Sequence, residues 1–178
     1  MSLADFFLYS SELEAENIGT FGDDLVWSNN MDHFDRWKNG QTGYPFVDAS
    51  MREIASTGFM SNRARQNVAS FLTKAINIDW RWGASYFANM LIDHEPGVNI
   101  ESWAYIAGVG PGRRDSKFLT VTQGEKYDPD ATCISKWIPE LQQADTQQKH
   151  RPWLLSDTSI ISSYPQPMIP DTSSQCRQ

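Results

Sequence analysis

Residues 37–74 read W-K-N-G-Q-T-G-Y-P-F-V-D-A-S-M-R-E-I-A-S-T-G-F-M-S-N-R-A-R-Q-N-V-A-S-F-L-T-K, and residues 78–83 follow with I-D-W-R-W-G. Helix signals are dense along this stretch. Pro45 suits a first helical turn, where its missing N–H costs nothing. Val47, Met51 and Ile54 recur at helical spacing, and Gly58 reads as the left-handed stop. Ser61 is placed to cap a helix running to about Ile76, with Val68, Phe71, Leu72 and Ile76 in one stripe. Asp79 caps the next helix, which turns Trp80, Phe87, Met90 and Leu91 inward and ends near Asp93, before Pro96-Gly97. The core expected between these two helices is Val68, Phe71, Leu72, Trp80, Phe87 and Met90.

Working outward, residues 29–39 predict a short helix ending at Gly40. Residues 98–121 read mostly as loop, glycine-rich around 108–112. Residues 128–141 read as a final helix with Ile134, Trp137 and Ile138 on one side and Pro139 in its last turn. Ahead of the quoted run lie a short aromatic segment, D-F-F-L-Y at 5–9, and a polar loop. No segment alternates at the period of a strand, so the expected fold class is all-α with long loops. One helical domain spans residues 1–141. From 142 to 178 Ser, Gln, Pro and Asp dominate, which predicts an extended polar tail anchored at Trp153 and Tyr164.

A chain of 178 residues can bury a substantial core. Its net charge of -7 makes it a poor binder of nucleic acid, because phosphate recognition needs clustered Lys and Arg. Arg63, Arg65, Arg113 and Arg114 are the candidates for a local basic cluster. Two cysteines, Cys133 and Cys176, make neither a disulfide framework nor a metal spacing. No apolar run is long enough to span a membrane. Residues 1–7 lack the basic start and apolar core of a secretory leader.

Three constellations hold candidate chemistry. Asn62 and Arg65 lie three apart on one early helical turn and so share a face. Asp93 ends the following helix, so an Arg65–Asp93 pair bridges two elements; on spacing alone it is a structural salt bridge. Trp27, Trp80 and Trp103 are large enough to relay an electron if their indoles touch, and equally suited to filling a core. The loop I-D-H-E-P-G-V-N-I-E-S-W at 92–103 brings His94 between two acids, in no standard metal spacing, and Asn99, whose amide suits a heterocycle edge or a loop cap. The stretch G-V-G-P-G-R-R has no strand–turn–helix setting for phosphate. Hydrolytic motifs are missing. The set suits a planar, redox-active ligand.

The run 42–74, followed by I-D-W-R-W-G, L-I-D and S-W-A-Y-I-A-G-V-G, resembles the C-terminal flavin-binding part of the cryptochrome/DNA photolyase family. The wording A-G-V-G and R-Q-N-V-A-S-F-L-T-K is closest to DASH-type cryptochromes. The likeness extends from about Asp5 through Q-G-E-K-Y-D-P-D and W-I-P-E-L to Y-P-Q-P at 164–167. It implies that Asn62 lies at the flavin and lesion pocket, and that Arg65 and Asp93 form the salt-bridged pair at the isoalloxazine ring. Asn99 matches the side chain facing the reactive flavin nitrogen. Trp103, Trp80 and Trp27 match the inner, middle and outer members of the electron relay. Arg63, Gln66 and Tyr105 match residues of the substrate cavity.

There are departures from the family pattern. Its second acid after I-D is usually Asp and is here Glu95. Its glycine between the Asn and the Trp is absent, and the loop reads Asn99-Ile100-Glu101-Ser102-Trp103. The Arg-x-Phe-Asn motif reads Ser116-Lys117-Phe118-Leu119, without the substrate-side arginine and the asparagine. A carboxylate at Glu101 repels a DNA backbone. The resemblance also implies an N-terminal antenna domain and an earlier helical half with a Thr-Ser-x-x-Ser phosphate loop, neither of which this sequence carries. The expectation is therefore a non-catalytic structural or interaction subunit with no cofactor. Other protein subunits would dock on the former domain interface and on the tail, in an organellar assembly such as a chloroplast complex. The rival expectation is an FAD-dependent blue-light receptor, or a light-driven photolyase (a carbon–carbon lyase), completed by another chain. DNA, a metal and a membrane span are not expected.

Overall fold

The computed structural model describes residues 25–109, 117–154 and 163–170. Helices account for its regular structure. Among the described residues the only β pairing is an isolated parallel bridge between Ser28 and Ile78. Helix α1 (Met31–Lys38) starts at Asn30, whose Oδ1 accepts the His33 N–H at 3.1 Å. Helix α2 (Pro45–Thr57) has Pro45 in its first turn and ends at Gly58, left-handed at φ 70°. Helix α3 (Asn62–Ser70) is capped by Ser61 and runs on through a π-helical turn, Phe71–Ala75, to Ile76. Helix α4 (Trp80–Met90) begins at Asp79, which accepts the Arg81 N–H at 2.9 Å.

The stretch 98–121 departs from expectation. It is not mostly loop: Pro96–Ala107 is helix α5, closed by Gly108 at φ 84°. Pro96-Gly97 opens this helix rather than breaking the chain, because Glu95 caps it and proline is at home in the first turn. A further helix, α6 (Thr120–Tyr127), follows. The expected helix over 128–141 is shorter, with α7 at Thr132–Trp137 and a 3-10 turn at Pro139–Leu141. Asp128 lies outside it and accepts the N–H groups of Cys133 and Ile134, both at 3.1 Å.

The core lies where these helices cross. Trp37, Val47, Met51, Ile54, Met60, Val68, Leu72, Ile78 and Trp80 are fully buried. The expected helix–helix core is present, with Val68, Phe71, Leu72, Trp80 and Phe87 buried and Met90 half-buried at its edge. Helix α4 packs on α5, and α2 packs on α3 and α7. Arg52 on α2 ties down the end of α7 through the Trp137 carbonyl at 3.3 Å and Glu140 at 2.9 Å.

The segment expected to trail as an extended tail is packed onto this body where it is described. Helix α8 (Thr146–His150) has a capping box of Asp145 and Gln148, and His150 is buried. The Tyr164 hydroxyl donates to the buried Asp48 carboxylate at 2.5 Å. Asp48 also accepts the Thr42 hydroxyl at 2.6 Å and the N–H groups of Thr42 and Gly43 at 2.8 and 3.0 Å. Burial raises the Asp48 carboxyl above its ordinary range, and the bonds from Thr42 and Tyr164 pull it back down. Residues 166–169 are then stitched to the loop before α2, with Met168 N–H on the Thr42 carbonyl at 2.9 Å and the Tyr44 hydroxyl on the Ile169 carbonyl at 3.1 Å. Trp153 rests against Tyr44 with ring centroids 5.4 Å apart. The aromatic segment 5–9 lies outside the described residues.

Candidate functional site

A cleft of about 390 Å³ opens between the start of α3, the α4–α5 connection and one face of α5. Of the residues singled out from the sequence, it brings together Asn62, Arg65, Gln66, Asp93, Glu95, Asn99, Trp103 and Tyr105. Arg65 is held from two sides. Its Nη2 donates to both Asp93 oxygens at 2.9 and 2.8 Å, and its Nε donates to the Met60 carbonyl at 2.8 Å. The pair is only half shielded from water, so it fixes orientation more than it stabilises. Asn99 is buried, and its Nδ2 donates to the Ala84 carbonyl at 2.9 Å. That bond sets which way its amide oxygen faces.

Trp103 forms the back of the cleft. Its ring lies edge-on to Phe87 at 5.1 Å and to Trp37 at 6.3 Å. Gly83 lets it in, since a Cβ there would meet the indole at 2.2 Å. Trp80 is fully buried on α4 and Trp27 is half-buried near the described N-terminal end. Neither lines the cleft. Their indole N–H groups meet no acceptor among the described residues.

Two expected site residues are turned elsewhere. Glu95 borders the cleft, but its oxygens accept the Gly97 and Val98 N–H groups at 3.2 and 2.6 Å. It therefore caps α5 and uses up the amides that a helix N-terminus offers to an anion. Arg63 does not line the cleft. Its guanidinium lies 4.8 Å over the Tyr127 ring and donates to Gln66 at 2.9 Å. Phe87, Leu91, Val98, Glu101 and Ile106 line the cleft without having been assigned to it from the sequence. Phe87 and Leu91 belong to α4 and its C-cap, whose inward stripe marks them as core, and Val98, Glu101 and Ile106 belong to α5, which carries little amphipathic pattern to place them. Trp37, the ring behind Trp103, stood in the quoted run and gave no sign of its place.

The chemistry of this donor set suits a flavin ring and not a phosphate. A clamped guanidinium, a buried amide and an indole wall match a planar heterocycle with a polar edge. Against Arg65 stand three carboxylates, Asp93, Glu95 and Glu101, among the described lining residues. Among the described residues no three His, Cys, Asp or Glu side chains are arranged to hold one metal ion, and no described helix is long and apolar enough to cross a membrane.

Comparison with known proteins agrees with this geometry. The family described as the FAD binding domain of DNA photolyase matches residues 3–178. Cryptochrome DASH of Synechocystis is 41% identical over 93% of this chain and 36% of its own length. The tomato protein named cryptochrome DASH, chloroplastic/mitochondrial, is 42% identical over 78% of this chain and 24% of its own. The crystal structure of the archaeal photolyase from Sulfolobus tokodaii with two FAD molecules superposes with a TM-score of 0.81 at 35% identity, covering 94% of this chain and 39% of that one. The chain thus spans about a third of the length of curated relatives such as the Synechocystis protein. On the family match over residues 3–178, the identity to these relatives and the shared helical fold, it belongs to the cryptochrome/DNA photolyase family, within that family's FAD-binding domain.

Proposed function

We propose that this chain supplies one wall of the flavin cleft in a light-driven flavoprotein of the DASH cryptochrome type. The observation that carries this reading is the convergence of the Arg65–Asp93 pair, Asn99 and Trp103 on one cleft. A bound flavin supplies blue-light absorption and one-electron chemistry. Asn99 and Arg65 orient the ring edge, and Trp103 excludes water from its inner side. Trp103, Trp80 and Trp27 are the relay positions suggested by family membership. Glu95 acts on the ring only indirectly, by holding the first turn of α5 and with it Asn99. Gln66 and Tyr105 border the substrate side.

The test uses riboflavin, the ring system without phosphates. Its fluorescence is expected to fall saturably as the chain is added, and Trp103→Phe to lower the extent of quenching. A flat titration with the folded chain sinks the reading. A second reading, an interaction subunit without a cofactor, is favoured by apolar side chains left in solvent near the cleft, Ile92 at 79% and Val98 at 63% exposure. A colourless protein recovered from native extract only within a larger complex supports that alternative. A plastid or mitochondrial location is proposed on the tomato relative's name alone.

A further inference from the structure

The face that α5 turns to the cleft carries Val98, Glu101, Ser102 and Tyr105, one and two turns apart. Tyr105 is 42% exposed, and with Val98 it offers the aromatic and apolar surface on which an unstacked nucleobase rests. A base arrives with its phosphates, however, and Glu101 is set between these two side chains. Among the described residues, the two arginines at the start of α3 are engaged elsewhere. Arg65 is bound to Asp93 and to the Met60 carbonyl, and Arg63 is drawn away over Tyr127. Glu95 has closed the amides of the first α5 turn. The mouth therefore combines a surface fit for a base with a charge hostile to a strand.

We propose that Glu101 is a specificity-determining residue of this cleft: its carboxylate refuses nucleic-acid phosphates while leaving the interior open to an uncharged planar ring. The proposal deepens the flavin reading by naming the ligand class that the same cleft rejects. Discrimination of this kind comes from an unpaired charge set against the wrong ligand, not from new contacts with the right one. It acts through water at an exposed position, so it weakens as salt rises. Neutralising one carboxylate among several phosphates is expected to change affinity by about three- to tenfold at low ionic strength.

The experiment titrates the whole chain into a fluorescein-labelled oligothymidylate of about ten nucleotides, a length within the footprint of a single-strand groove, and reads anisotropy. Wild type is compared with Glu101→Gln, Glu101→Lys and Asp130→Asn. Asp130 is exposed, lies in the turn before α7 and does not line the cleft, so its removal makes the same change in net charge. Glu101→Gln is expected to tighten binding about three- to tenfold at about 20 mM salt and Glu101→Lys more, with the gain lost near 300 mM. Asp130→Asn is expected to change it by less than about twofold. The proposal is overturned if Asp130→Asn tightens binding as much as Glu101→Gln does. It is equally overturned if Glu101→Lys binds no better than wild type or does not bind at all. Riboflavin quenching is measured on the same proteins and is expected to persist in Glu101→Gln. Its loss in every protein overturns the flavin reading, whereas an unchanged oligonucleotide affinity with quenching intact overturns only the role of Glu101.

Discussion

Gly83 is the position where one added methyl group tests both the core and the cleft. It lies in α4 against α5, and a Cβ placed there would be 2.2 and 2.5 Å from two Trp103 ring carbons and 2.7 Å from Leu72 Cδ2. The indole has little room to retreat, being packed against Phe87 and Trp37 on its other sides. Forcing a methyl into a filled core costs typically 1–3 kcal/mol, and three overlaps place Gly83→Ala near the top of that range, at about 3 kcal/mol. Alanine is the better helix former and returns about 1 kcal/mol. The net expectation is a loss of about 2 kcal/mol, roughly a thirtyfold shift toward the unfolded state. Urea denaturation followed by tryptophan fluorescence measures it, with the midpoint moving down by about 1 M. Trp103→Phe removes the overlapping ring atoms, so the double variant should recover about 1–2 kcal/mol relative to the sum of the singles. If Gly83→Ala is as stable as wild type, or more so, helix propensity outweighs packing here and the close approach of α4 and α5 is refuted.

Phe71→Ala is expected to cost about 3–5 kcal/mol in thermal melts, since Phe71 is buried against Tyr44 at 5.1 Å; a loss under about 1 kcal/mol would mean that the π-helical turn relaxes around the gap. Arg65→Met is expected to cost only about 1 kcal/mol, because its pair with Asp93 is half in water, while weakening riboflavin quenching several-fold; a loss above about 3 kcal/mol would show a shielded pair. Burial lowers the pKa of His150, so in the acid range the unfolded chain binds more protons than the folded one. Stability from this group is present above the ordinary value of 6.5 and is lost as pH falls through the folded value. His150→Gln should flatten that acid limb in urea titrations across pH, and an unchanged slope would rule His150 out as its source.

Helices α1 to α4 were legible because each carries its own punctuation: Asn30, Pro45, Gly58, Ser61 and Asp79 all stand where the backbone needs them. Helix α5 was not, since its opening Pro96-Gly97 has the look of a break. Its body then gives almost no polar face, with Ile100, Trp103, Ala104, Ile106 and Ala107 all buried. Helix α6 was hidden by Gly124, which stands mid-helix because a Cβ there would press on Phe46 at 3.0 Å. The folding back of residues 163–170 rests on distant partners, among them the Asp48 carboxylate and the Thr42 carbonyl, that no local pattern announces. Within the site, the Arg65–Asp93 pair followed from helical spacing and the family resemblance. The turning away of Glu95 and Arg63 did not: Glu95 caps a helix whose Pro96-Gly97 opening has the look of a break, and Arg63 lies over Tyr127, a ring that only the folded chain brings near.

The cleft and the core share their framework, and this governs how any site variant must be read. Trp103 backs the cleft and also fills the seam between α4 and α5. Asn99 faces the cleft while its amide holds the Ala84 carbonyl of the facing helix. Arg65 borders the cleft and ties α3 to the α4–α5 connection. Substituting any of these three lowers ligand binding by two routes, loss of a contact and loosening of α5 against its neighbours. Glu101, Ser102 and Tyr105 lie on the same helix but are exposed, outside its buried face. Substitutions there change what the cleft admits without disturbing what holds it open. The stability of each variant therefore separates the two groups: ligand effects at 99, 103 and 65 should track the urea midpoint, and those at 101 and 105 should not.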